Sequence, residues 1–121
     1  MLPVVEGSRV RLEFESAADG AVVRLGDGAR VGRFVLVERG LEVFVEELSI
    51  EPEHRGYGCG SEAARLLRRY AAAGSWARLT AWAPPDLGLA VYFWSRMGLR
   101  PLHGEGPNGG LSFVRELARD R

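Results

Sequence analysis

The residues best suited to chemistry stand together in His54-Arg55-Gly56-Tyr57-Gly58-Cys59-Gly60-Ser61. Three glycines in five residues leave the backbone bare of Cβ atoms, so a ligand can approach the peptide plane and a positive φ carries little penalty. An amphipathic segment, Glu62 to Ala73, follows directly. A loop that opens a helix turns unpaired N–H groups, and the positive end of the helix dipole, toward whatever binds there. Phosphate is the natural guest of such a loop, and Arg55 adds a fixed positive charge at its mouth. The pattern reads as a backbone cradle for pyrophosphate.

A second chemistry lies just upstream. Glu38, Glu42, Glu46, Glu47, Glu51 and Glu53 make one locally acidic stretch, which suits a cationic amine and equally well surface solubility. Cys59 reads as loop packing rather than a nucleophile, His103 as a strand or loop histidine, and no set of side chains has metal-ligand spacing. Gly58-Cys59-Gly60-Ser61-Glu62-Ala63 also satisfies the dinucleotide pattern Gly-x-Gly-x-x-Ala. That pattern needs a strand running straight into the first glycine and an acidic residue ending the next strand. Here Glu51 to Tyr57 intervenes, and the next strand ends Trp82-Ala83-Pro84-Pro85.

The elements that must position these residues follow from periodicity. Arg9 to Phe14 alternates, with Val10, Leu12 and Phe14 on one face. Asp19-Gly20, Asp27-Gly28 and Arg39-Gly40 are hairpin signals separating Ala21 to Leu25, Arg30 to Glu38 and Leu41 to Ile50. These segments predict a four-stranded antiparallel meander. After the glycines the period becomes helical, with Ala63, Leu66, Leu67, Tyr70 and Ala71 on one stripe and Gly74 as a stop. A fifth strand, Trp76 to Ala83, precedes a second helix from Asp86 through Met97, closed by Gly98. Arg100 to His103 and Leu111 to Leu117 read as two last strands. The second helix is apolar nearly all round, which predicts burial on more than one side and a second copy as its partner.

The chain resembles the GNAT superfamily of acyl-CoA-dependent N-acetyltransferases over roughly residues 41 to 117. Arg55, Gly58 and Gly60 fill the superfamily's Arg/Gln-x-x-Gly-x-Gly/Ala signature at the turn from fourth strand to long helix. Ala90, Val91, Gly98 and Leu99 match its second motif. The resemblance implies an α/β fold with a mixed, mostly antiparallel sheet and two main helices, in the order ββββ-α-β-α-ββ. It lacks the helices usual between the first and second strands, where only Ser16 to Gly20 stand. It further implies that acetyl-CoA is the cosubstrate. Leu48, Ser49 and Ile50 would pair with pantetheine, and Arg55, Gly56, Tyr57, Gly58, Cys59, Gly60 and Ser61 would hold the pyrophosphate. Glu46, nine residues before the Arg, stands where members with a carboxylate base carry it, with Glu42 as a fallback if no bulge intervenes. The superfamily's Tyr acid is Trp94 here, Tyr92 being turned about 200° away on a helix, and its Asn is Leu87.

Composition bounds the rest. A chain of 121 residues is expected to form one domain, 1–121, around a single core. Formal net charge is zero, which gives no electrostatic case for nucleic acid or a membrane surface. The apolar runs are short of a bilayer span, and Met1-Leu2-Pro3 begins no signal peptide. A single cysteine excludes an internal disulfide and makes the cytoplasm the expected compartment. The expected partners are an amine acceptor, small molecule or protein, and a second subunit in a homodimer.

Overall fold

A computed structural model describes residues 4–15, 20–56, 58–86 and 88–117. The elements run β1 (Val4–Glu6), β2 (Val10–Phe14), β3 (Gly20–Leu25), β4 (Arg30–Arg39), β5 (Glu42–Ile50), α1 (Cys59–Ala73), β6 (Arg78–Ala83), α2 (Gly88–Arg96), β7 (Arg100–Pro101) and β8 (Leu111–Glu116). One mixed sheet has the order β1-β2-β3-β4-β5-β6-β8-β7. Every pairing is antiparallel except β5 with β6. The meander, the crossover helix and the closing strands stand in the expected order.

Several details differ from the expectation. β1 adds a strand before the meander; it is three residues long, and only Val5 of it is half-buried, too short a run to show a period. Arg69 Nη2 of α1 donates to its Glu6 carbonyl at 2.7 Å. The last hairpin keeps only Arg100–Pro101 of the expected Arg100–His103 strand, because Gly104 and Gly106 begin the loop at once. Residues 16–19 and Leu87 lie outside the described residues. Among the described residues no helix separates β2 from β3, whose ends meet through the Glu15 N–H on the Gly20 carbonyl at 3.1 Å.

The core forms on one face of the sheet. Val10, Leu12, Ala21, Val23, Phe34, Ala81 and Phe113 turn toward Ala63, Leu66, Leu67 and Ala71 of α1. Those α1 positions repeat at helical spacing, and each fully buried Leu is worth about 1.5–3 kcal/mol. Trp94, Met97 and Leu99 join the same cluster, so both helices cover this face. The opposite face carries charge in pairs, with Glu13 taking Arg11 Nε at 2.8 Å and Arg24 Nε at 2.9 Å. Gly74 ends α1 with an extended backbone rather than a left-handed one; a Cβ there would meet the Trp76 ring at 2.6 Å. That ring continues an aromatic stack in which Tyr70 lies 4.1 Å from Phe14, centroid to centroid.

Two features of the sheet prepare the site. β5 and β6 pair only over Glu42–Phe44 with Arg78–Thr80, and beyond that the strands part. Between Val35 and Leu36 the β4–β5 register shifts, so that Val35 faces Glu47 and Leu36 faces Val45. Glu46 is the extra residue, a β-bulge at the mouth of the gap.

Candidate active site: a cleft between parted strands

β5 borders the gap with a partly unpaired edge. The Glu51 N–H reaches the Val31 carbonyl at 2.7 Å, which makes Glu51–Val31 a hydrogen-bonded pair. Such pairs alternate along antiparallel strands, so the peptide groups of Ser49 and Glu47 also point to β4. Those of Leu48 and Ile50 point the other way, into the gap. Two carbonyls on this edge are already engaged: Arg55 Nε donates to Ile50 O at 2.8 Å, and Trp82 Nε1 donates to Glu46 O at 2.8 Å. Between them the Leu48 N–H and C=O and the Ile50 N–H are left for a guest. Ser49, expected to share this pairing, turns its own peptide groups to β4.

The gap widens into a cleft of about 810 Å³. Leu48, Ser49, Ile50, Arg55 and Gly60 line one end. Val35, Val45, Glu46, Glu47 and Trp82 line the other, with Leu89, Ala90, Phe93 and Trp94 of α2 forming a side wall. Most of the lining is apolar. Trp94 is buried and stands edge-on to Phe93, with centroids 4.9 Å apart. An indole offers an N–H but no usable acid. Tyr92 is 63 % exposed, under the Arg96 guanidinium and turned out of the cleft, so it does not replace the missing acid.

The glycine loop meets the cleft at its open end. A 3-10 turn, Pro52–His54, leads through Arg55 to Gly56 and Gly58, whose φ values of +84° and +81° suit glycine alone. Tyr57, expected in this set, lies outside the described residues. α1 begins at Cys59, three residues earlier than expected, so Cys59, Gly60 and Ser61 form its first turn. No side chain caps that end, and the first helical bond runs from the Glu62 N–H to Gly58 O at 3.0 Å. The N–H groups of Gly58 to Ser61 therefore lack helical acceptors. The Cys59 side chain is buried in the core cluster.

Sequence reading missed a second cation here. The Glu62 carboxylate accepts the N–H groups of Arg9 and Val10 and the Ser8 hydroxyl, which fastens the β1–β2 turn to α1. Arg9 Nη1 consequently lies 3.0 Å from where a Cβ of Gly58 would stand. The one available signal was an acidic residue in the first turn of a helix, which also reads as a plain helix start.

The carboxylates separate into two kinds. Glu46 and Glu47 are exposed beside the cleft. Glu42 instead accepts the buried Thr80 hydroxyl at 2.9 Å, and the bulge breaks the strand parity that would have put it beside Glu46. Its place as a fallback base is thereby withdrawn. Among the described residues no group of His, Cys, Asp or Glu could hold a metal ion, and no helix is long and apolar enough to cross a membrane.

No protein-family model and no curated protein matches the chain. Solved structures do. An acetyltransferase of the GNAT family from Bacillus anthracis superposes with a TM-score of 0.82 at 13% identity, over 96% of this chain and 99% of that one. An acetyltransferase from Agrobacterium tumefaciens gives 0.77 at 17% identity, over 96% and 95%. A chimeric spermidine N-acetyltransferase from Vibrio cholerae and hSSAT gives 0.73 at 15% identity, over 83% and 67%. The chain has the GNAT fold.

Proposed function

We propose that this chain, on its GNAT fold, is an acyl-CoA-dependent N-acetyltransferase built as one domain, 1–121. The observation that carries the reading is the edge of β5. Leu48 and Ile50 offer peptide groups to an amide-bearing arm, in line with the uncapped first turn of α1. The residues fit the group: Leu48 and Ile50 would hold the pantetheine arm of acetyl-CoA. Arg55, Gly56, Gly58, Cys59, Gly60 and Ser61 would take the pyrophosphate on backbone N–H groups and one guanidinium. Tyr57 belongs to the same loop by sequence. When bound, acetyl-CoA supplies an activated acetyl thioester.

The chain's own residues would do the rest. Glu46, exposed on the bulge, takes a proton from the incoming ammonium, directly or through water, so that the free amine attacks the thioester within one ternary complex. Glu47 beside it adds negative charge that favours a cationic acceptor. The apolar wall of α2 excludes water from the reacting end. The acceptor is an amine, on a small molecule or on a protein. A cytoplasmic homodimer completes the proposal: Leu89, 84 % exposed, and Tyr92 stand outward on α2, where a second copy would cover them.

A second reading has one specific observation behind it. Trp94 occupies the acid's place and is buried, so the fold could serve as a non-catalytic acyl-CoA-binding module. Calorimetry with CoA tests the site common to both readings, and absence of binding rejects both. Turnover of acetyl-CoA with a panel of polyamines, amino acids and peptide N-termini separates them: release of free thiol with any amine supports the enzyme.

A further inference from the structure

We propose that Trp82 sets the length of acyl group the cleft accepts, restricting it to short chains such as acetyl and propionyl; this rests on the acyl-CoA reading above. The direction of the ligand follows from the loop. Its phosphate end lies at Arg55 and Gly58, so an extended arm runs along β5 from Ile50 past Leu48 toward Glu46, about 13 Å of strand. Ahead of it the β5–β6 ladder ends at Phe44–Thr80. The gap is not open up to that rung. The Trp82 indole crosses it, donating to Glu46 O at 2.8 Å, and acts as one more rung built from a side chain.

The ring is held on both sides. Ala81 and Ala83, its strand neighbours, are buried on the helix-covered face, so Trp82 points to the other face and rises beside the bulge. Behind it lies the backbone of Gly110, where even a Cβ would approach Trp82 Cε3 to 3.1 Å. Swinging the indole away would leave the Glu46 carbonyl without its donor. A two-carbon acyl group ends short of this barrier, whereas a six-carbon chain must displace it.

Calorimetric titration of the whole chain with CoA, acetyl-CoA and hexanoyl-CoA tests this without knowledge of the acceptor. The parent should bind CoA and acetyl-CoA alike and hexanoyl-CoA about tenfold or more weakly, the low end of what overpacking costs. Trp82→Ala should bring hexanoyl-CoA close to acetyl-CoA. Trp82→Phe, which keeps most of the bulk, should retain the discrimination. Trp82→Leu replaces the Ala variant should that one fail to fold. A parent that binds CoA but treats both acyl chains equally overturns the proposal alone, as does a folded Ala or Leu variant that keeps the tenfold penalty. A parent that binds no CoA overturns the acyl-CoA reading and this proposal with it.

Discussion

Glu62, in the first turn of α1, accepts the backbone N–H of Arg9 at 2.7 Å across a sequence separation of 53 residues. The Val10 N–H at 2.9 Å and the Ser8 hydroxyl at 3.0 Å donate to the same carboxylate. Burial pushes this carboxyl up, but the two N–H bonds, the hydroxyl and the Arg9 charge outweigh it and hold it below its ordinary value of 4.5. A depressed folded-state pKa gives stability that is present above 4.5 and is lost as pH falls through the lowered value. Glu62→Gln should cost about 0.5–1.5 kcal/mol at neutral pH, because water screens these partly exposed bonds and the amide oxygen can still accept. Urea denaturation should show that cost shrinking as the medium is acidified below 4.5. Glu13 is also held down, by its bonds to Arg11 and Arg24, so the parent will lose stability there for two reasons. The difference between parent and variant isolates Glu62, and a difference independent of pH would refute the assignment.

Gly60→Ala separates binding from folding. A Cβ at Gly60 would lie 3.5 Å from Ile50 Cγ1 and 3.9 Å from Phe93 Cε1, ordinary contacts, and the residue is helical. Alanine in place of a glycine adds about 1 kcal/mol in a helix interior and a fraction of that in a first turn such as this one. CoA affinity should nevertheless fall, because the added methyl stands where the first turn meets the ligand. Thermal melting should go up while calorimetric affinity goes down, and unchanged affinity would remove Gly60 from the site.

Glu46→Gln keeps shape and hydrogen bonding but accepts no proton at neutral pH. Loss of a general base costs about 10²–10⁴ in rate, so kcat/KM for the best amine should drop by that order while CoA affinity holds. Full activity in the variant would transfer the role to water. Trp94→Tyr is the companion: an acid restored beside Phe93 should raise kcat if protonation of the departing thiolate limits turnover.

Light scattering at micromolar concentration should report a dimer. Leu89→Asp should shift it to monomer without changing the melting of the protomer, since Leu89 contributes little to the protomer's own core at 84 % exposure. A monomeric parent would reject the dimer and leave Leu89 and Tyr92 as solvent-facing residues.

Much of the fold was legible because strand faces alternate, as where Val10 and Leu12 are buried and Arg11 and Glu13 between and beside them are half-buried, and because the period changes at the glycines. The glycine loop was legible for a different reason, since positive φ at Gly56 and Gly58 selects residue type directly. What stayed hidden depends on pairs distant in sequence. No local pattern marks Glu46 as a bulge; that follows from how Val35 and Leu36 fall opposite β5. The bond of Trp82 to Glu46 O and the seating of Arg9 by Glu62 likewise exist only once strands far apart in the chain are neighbours. The second helix read as buried on more than one side with a second copy as its partner; within the protomer Leu89 and Tyr92 face outward, the side the proposed second copy would cover.

An unpaired strand edge ordinarily invites aggregation, because a second chain can add its own strand. The interior edge of β5 escapes this hazard through its brevity. Arg55 stoppers the Ile50 carbonyl and Trp82 the Glu46 carbonyl, which leaves little more than the one rung of Leu48. One rung is too little to template a strand from another protein, but it is enough for the amide of a thin, flexible arm. On the acyl-CoA reading, the same two side chains that shape the cleft would also screen its visitors by thickness.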